Sequence, residues 1–212
     1  MVALTVATGA VDAVSWLVLD KVFSAFMTGN FVFLGLRIGG AGGPSVPRVL
    51  VAVAGFGAGA LLAAWIVAPD EKSDVVWPSR VTATLGAACA VQAAFLAMWV
   101  GVDAHPSSAA GDGLIAMSAL AMGMQTTAIF SLGVRAVFTT AVTATWAVLM
   151  GDLSGWSQSS GERRRLGAVI AGLILGAAAG GLLVVHARMW APLFPLAVSA
   201  MVVAAAPIFF QK

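Results

Sequence analysis

The sequence has few charged residues. Of its 212 residues, 11 are Lys or Arg and nine are Asp or Glu. Charged residues therefore make up 9% of the chain, against about 25% in an average soluble domain. Hydrophobic residues make up 60%, and the mean hydropathy is +0.99. Such a chain cannot cover its core with a hydrated surface, which excludes a soluble enzyme and a nucleic-acid-binding domain.

Cysteine and histidine are also scarce. Because Cys89 is the single cysteine, the chain can form neither an intrachain disulfide nor a multi-cysteine metal site. The two histidines are His105 and His186, and no H-E-x-x-H, G-x-S-x-G or Walker motif is present. We therefore predict no enzyme activity, no metal and no cofactor. Residues 1–8 have no basic region, so we predict no cleaved signal peptide.

Long runs without charge dominate the rest of the sequence. About 20 apolar residues in a helix cross a bilayer core, because each residue adds about 1.5 Å. Five runs reach that length, and they predict an all-α polytopic membrane protein whose main partner is the lipid bilayer. The runs are Val49–Pro69, Val81–Val102, Gly113–Val134, the stretch between Arg165 and His186, and Met189–Gln211.

Two helical blocks are too long for one crossing. Val2–Ile38 and Gly113–Gly151 would each be roughly 55 Å long as a single helix. Each block must therefore be a pair of short helices or a broken helix. The polar residues predict the breaks at Asp20–Lys21 and at Ser131–Arg135.

The two blocks belong to an internal repeat with an offset of 114 to 117 residues. This repeat divides the chain into a first membrane repeat, residues 1–105, and a second, residues 106–212. Polar and glycine positions carry the alignment, which pairs Lys21 with Arg135, Ser24 with Thr139, Thr28 with Thr143, Asn30 with Thr145, Gly55 with Gly172 and Gly59 with Gly176.

The basic loops favour parallel halves. Arg37 and Arg48 lie in one loop of the first half, and Arg163–Arg165 lie in the equivalent loop of the second. Under the positive-inside rule this predicts four plus four short helices with both termini in the cytoplasm. That topology puts six Lys or Arg inside and five outside. The alternative is three plus three spans with broken or re-entrant segments, which would invert one half relative to the other.

Asp12 is the one acidic residue well inside an apolar segment. A carboxylate at the centre of a membrane helix costs ~2.5–3.5 kcal/mol, so such residues usually serve a proton, a cation or a polar partner. The alternative is that Asp12 caps a neighbouring helix end. Its counterpart in the second half is Thr126, next to Gln125.

The second polar motif is Thr28-Gly29-Asn30, with Thr143-Ala144-Thr145 as its counterpart. On an ideal helix Thr28 shares a face with Ser24, whereas Asn30 points away from that face. Gly29 would permit local unwinding, which exposes backbone groups as in transporter binding sites. The alternative is that these side chains only hold helices together.

Small residues four apart form faces that let two helices approach closely. We predict that Gly55, Gly59, Gly172 and Gly176 pack helices together. The contacts lie within one subunit or between subunits, so a homo-oligomer is an open alternative.

The polar motifs together resemble a known family. Thr8-Gly-Ala-Val-Asp12-Ala, Met27-Thr-Gly-Asn30, Gly123-Met-Gln125 and Thr139-Thr-Ala-Val-Thr143 resemble the YoaK-type family of bacterial membrane proteins, whose domain is of unknown function. The chain differs from the usual pattern at Thr126 and Ala144. The resemblance implies a multi-pass protein of the bacterial inner membrane and supplies no substrate.

The sequence as a whole favours a transporter or permease for a small polar solute, with a coupled proton or cation. The alternative is a membrane scaffold that transports nothing. The predicted substrate site lies between the two repeats and contains Asp12, Thr28, Gly29, Asn30, Gln125, Thr139, Thr143 and Thr145.

Overall fold

The computed structural model describes residues 1–67, 77–133, 142–153 and 160–210. This part of the chain is helical and contains no strand, which confirms the predicted all-α class. Its helices are α1 (Val2–Val18), α2 (Met27–Ile38), α3 (Val46–Ile66), α4 (Ser79–Gly101), α5 (Ser108–Phe130), α6 (Val142–Leu153), α7 (Ser160–His186) and α8 (Leu193–Phe210), with a short 3-10 helix at Arg188–Trp190.

The helices fall into two length classes. Five of them, α3, α4, α5, α7 and α8 with the preceding 3-10 turn, are long and apolar enough to cross a membrane. Helix α1 is apolar but has 17 residues. Helices α2 and α6 have 12 residues each, or about 18 Å, which is too short for a hydrocarbon core of about 30 Å.

The first long block is broken near the predicted place. Helix α1 ends at Val18, and Asp20 and Lys21 adopt left-handed conformations with φ of 64° and 60°. These two residues turn the chain back, so that Ser24 and Ala25 lie against Asp12, in the middle of α1. Helix α2 therefore starts at the depth of Asp12.

The predicted unwinding at Gly29 does not occur, because α2 is a regular helix from Met27 onward. A Cβ at Gly29 would lie 2.8 Å from the Phe26 ring and 2.9 Å from the Phe23 ring. Gly29 instead makes room for these two rings. The irregular backbone lies upstream, in residues 19–26.

Helices α1 and α5 run antiparallel. Near the beginning of α1, Leu4 shares an apolar cluster with Ile129, close to the end of α5. Beyond the end of α1, Leu19 shares another cluster with Leu114, close to the beginning of α5. We call the end of the bundle where α1 begins the near side, and the end where α1 finishes the far side.

These directions correct the sequence-based preference for parallel halves. Helices α1 and α5 hold the same position in the two predicted halves, yet they point in opposite directions. The reason is that α2 and α6 have only 12 residues each and do not run the length of the bundle. Helix α2 starts at mid-depth and returns to the far side, where Phe33 and Leu34 pack against the cluster of Leu19. The prediction of parallel halves treats both short helices as full crossings.

Helix α6 is arranged in the same way but runs towards the near side. Its first turn, with Thr143, lies at the depth of Asp12, since both residues line one cavity. Further along, Val148 and Leu149 pack beside Val2, at the beginning of α1. The two short helices therefore start at mid-depth and leave towards opposite sides.

Glycines form the two closest helix contacts. A Cβ at Gly176 of α7 would overlap the Val6 carbonyl oxygen of α1, and one at Gly59 of α3 would overlap the Leu120 carbonyl oxygen of α5. The contacts also continue in register. A Cβ at Gly180 would lie 2.7 Å from the Ala10 oxygen, and one at Gly55 would lie 2.9 Å from the Ala116 oxygen. Only glycine permits such backbone approach.

Candidate functional site

Asp12 binds the backbone that leads into α2. Its Oδ1 accepts hydrogen bonds from the Ser24 and Ala25 amides, both at 2.8 Å, and its Oδ2 accepts one from the Phe26 amide at 3.1 Å. Since α2 begins at Met27, the carboxylate lies at the positive end of that helix. Asp12 therefore caps a neighbouring helix, the alternative that the sequence left open.

Asn30 completes this set of contacts from the other side. Its Oδ1 accepts a hydrogen bond from the Phe23 amide at 3.0 Å, and its Nδ2 donates to the Phe23 carbonyl at 2.7 Å. The side chain is fully buried, whereas Thr28 is exposed, so the two residues occupy different faces as predicted.

Together the two side chains satisfy four consecutive amides, from Phe23 to Phe26. Backbone groups at membrane depth have no water to bond, and each unsatisfied one costs several kcal/mol. Ser24 adds a further bond, since its Oγ donates to Ser15 Oγ at 3.0 Å. The spacing of Asp12 and Asn30 thus has a structural explanation, because it lets the two side chains bond the amides of the segment before α2.

A cavity of about 630 Å³ lies beside this segment. Helix α1 and the segment before α2 form one wall, and α6 and α7 form the other. It brings together Asp12 and Thr143, predicted site residues from the two halves of the chain. The lining residues are Thr8, Gly9, Asp12, Ala13, Trp16, Phe23, Phe26, Val142, Thr143, Trp146, Leu173 and Ala177.

Aromatic rings form much of the cavity wall. Trp16 stacks on Phe23 with ring centroids 4.9 Å apart, and Phe23 meets Phe26 edge-on at 5.3 Å. Trp146 faces them from α6 and is 51% exposed. Sequence reasoning missed these residues. The signal was the position of Trp16, one helical turn after Asp12 on the same face of α1.

Of the other predicted residues that the structure describes, none lines the cavity: these are Thr28, Gly29, Asn30, Gln125 and Thr145. Gln125 contacts a lining residue from behind the cavity wall, because its Nε2 donates a hydrogen bond to the Thr8 hydroxyl at 3.1 Å. Thr145 is buried on α6. Thr139 lies outside the described residues.

A second, smaller cavity of about 20 Å³ lies between α1, α4, α5 and α8. Gln92 lines it and is 8% exposed, and neither its Nε2 nor its Oε1 has a hydrogen-bond partner. Ser15 and Ser118 lie on the same wall. The volume is close to that needed for one water molecule.

The apolar helices long enough to cross a membrane define the class: this is a polytopic helical membrane protein. The chain belongs to the family described as "Protein of unknown function (DUF1275)", whose profile matches residues 1–205. This agrees with the resemblance in the motifs.

One similar protein is the UPF0700 transmembrane protein YoaK of Bacillus subtilis (strain 168), which is 36% identical over 152 residues. The aligned region covers 72% of this chain and 65% of the relative, so the chain spans less than two thirds of that protein. No solved structure matches the chain.

Proposed function

We propose that this chain is a transporter or permease for a small polar solute, and that its substrate site is the cavity at Asp12. The observation that carries the proposal is the cavity itself, about 630 Å³ at mid-depth, with walls from both halves of the chain. Two short helices begin beside it. Transporter sites commonly lie near the bilayer midplane, between repeats, where discontinuous helices start. The proposal includes no catalytic activity.

We further propose that the two halves are inverted repeats, each with three crossing helices and one short helix. The glycine contacts support this. The α1–α7 contact at Val6 and Gly176 corresponds to the α5–α3 contact at Leu120 and Gly59, with offsets of 114 and 117 residues. These are the offsets of the sequence alignment. The antiparallel course of α1 and α5 is what inverted repeats require.

The inverted arrangement also strengthens the proposed location in the bacterial inner membrane with both termini in the cytoplasm. With six crossings, four Lys or Arg belong to the far side, namely Lys21, Arg37, Arg48 and Arg188. In the sequence, the other seven occur at or beyond helix ends that this topology assigns to the near side, namely Lys72, Arg80, Arg135, Arg163, Arg164, Arg165 and Lys212. The positive-inside rule therefore favours a cytoplasmic near side.

Cysteine labelling in intact cells tests this topology. In a Cys89→Ala background, a cysteine at Gly161 should resist an impermeant maleimide, and one at His105 should react. The opposite pattern would place the near side outside. Reaction at both positions would contradict the six-crossing topology.

A cavity-filling variant tests transport. Ala13→Trp places a large ring in the cavity and leaves Asp12 and Asn30 unaltered, so solute uptake into proteoliposomes should fall at least about tenfold. Ala64→Trp, on the exposed face of α3, is the matched control and should keep the uptake of the unaltered protein. Equal uptake by the two variants would show that no solute passes through this cavity.

A membrane scaffold remains the second candidate, and one observation favours it. The hydrogen bonds of Asp12 and Asn30 go to the chain's own backbone, so both motifs have a structural task without any solute. A scaffold predicts that neither variant changes the flux of any tested solute.

A further inference from the structure

We infer that the cavity at Asp12 binds a monovalent organic cation, an amine or quaternary ammonium compound, through the Asp12 carboxylate and the surrounding aromatic rings. This inference rests on the proposed function and specifies its substrate class. The transporter proposal itself requires only that some small solute occupies the cavity.

The charge of the cavity supports a cation. Among its described lining residues, Asp12 is the single charged side chain, and no Lys or Arg accompanies it. A carboxylate offers about four acceptor positions, of which the three amides of residues 24–26 use three. One position on Oδ2 is left for a ligand. The positive end of α2 offsets only about half a unit charge, so an anion would be repelled.

The aromatic residues support an organic rather than an inorganic cation. Trp16, Phe23, Phe26 and Trp146 line the same cavity as the carboxylate. Ring faces attract cations, and aromatic cages are a recurrent way to bind quaternary ammonium groups. They also bury the apolar groups that such ligands carry.

The few other polar groups argue against two further ligand classes. Inorganic cations require several oxygen ligands, yet besides Asp12 the lining side chains offer only the hydroxyls of Thr8 and Thr143. The Thr8 hydroxyl already donates to the Leu4 carbonyl at 2.9 Å and accepts from Gln125 at 3.1 Å. A neutral sugar would leave most of its own hydroxyls unpaired.

Binding of a matched pair of probes tests the inference. Choline and 3,3-dimethylbutanol have the same shape, but only choline is charged. We expect the full chain in nanodiscs to bind choline at least about tenfold more tightly in isothermal calorimetry. Equal binding of the two probes would overturn the inference, because an apolar cleft alone explains that result. This comparison uses the unaltered protein, so no variant has to fold.

Substitutions of cavity residues test whether choline binds in this cavity. Trp146→Leu removes one ring but keeps an apolar side chain, and it should weaken choline binding about tenfold. Asp12→Asn should weaken it at least as much. The matched controls are Trp65→Leu and Asp103→Asn, both on the surface and outside the cavity, and they should bind like the unaltered protein. Loss of binding in Trp65→Leu but not in Trp146→Leu would overturn the inference.

The two proposals fail separately. If choline binds as expected but proteoliposomes show no choline flux, the binding site stands and the transporter proposal fails for this ligand class. If a neutral solute is transported and Ala13→Trp blocks it, while choline and its isostere bind equally, the transporter proposal stands and the cation site fails.

Discussion

The two halves of the chain match in how their helices pack and differ in how they treat buried polar groups. Gly59 packs against the Leu120 carbonyl oxygen of α5, and Gly176 packs against the Val6 carbonyl oxygen of α1, two contacts that the proposed repeat alignment pairs. By contrast, the Asp12 carboxylate accepts hydrogen bonds from three backbone amides. Its counterpart in the alignment, Thr126, is buried, and its hydroxyl has no hydrogen-bond partner. Close packing is thus common to both halves, and the charged cavity wall belongs to one of them.

The largest effect should come from the shared glycines. Gly59→Ala and Gly176→Ala each push a methyl group into a backbone carbonyl, which a neighbouring side chain cannot relieve. Each should lower the free energy of unfolding in mixed micelles by about 3 kcal/mol, the upper end for an overpacked site.

Gly57→Ala on α3 and Gly167→Ala on α7 are the matched controls, because both positions face open space. They should leave stability nearly unchanged. A large cost for Gly176→Ala beside a tolerated Gly59→Ala would contradict the equivalence of the two contacts.

A smaller loss of stability, expected in one half of the chain only, should come from the aligned positions at which the two halves carry different residues. Asp12→Ala leaves three amides unpaired beside α2 and should lower the free energy of unfolding by about 2 to 3 kcal/mol. Thr126→Val removes a hydroxyl that bonds nothing and keeps the side chain's shape, so it should change stability by less than about 0.5 kcal/mol. Thermal unfolding of both variants measures the difference. Equal losses would mean that Thr126 has the same structural task as Asp12.

Much of the fold can be predicted from the sequence, because the lengths of the apolar runs and the positions of the charged residues indicate which segments can cross a membrane. The long apolar runs predict the crossing helices, and Asp20–Lys21 predicts the break between α1 and α2. Hydropathy does not predict how far a broken segment returns into the membrane. That depth depends on the contacts of Asp12 and Asn30 with Phe23–Phe26, which the sequence does not reveal.

The candidate site was predictable only in its polar residues. Asp12 and Thr143 stand out in apolar segments, and the structure brings both to one cavity. Phe26 and Trp146 gave no such signal, since aromatic residues are ordinary in membrane helices. Their position at the cavity results from the return of the chain at Asp20 and from the start of α6, which only tertiary structure fixes.

The segment before α2 also bears on how the protein is made. Every side chain that satisfies the amides of Phe23–Phe26 lies within 14 residues of its partner along the chain. Once residues 12–30 have been synthesised, all the side chains that bond this segment are therefore present, before any of the second half has been made. The first hairpin can therefore leave the translocation machinery with its backbone bonded, and the second half can then assemble against it.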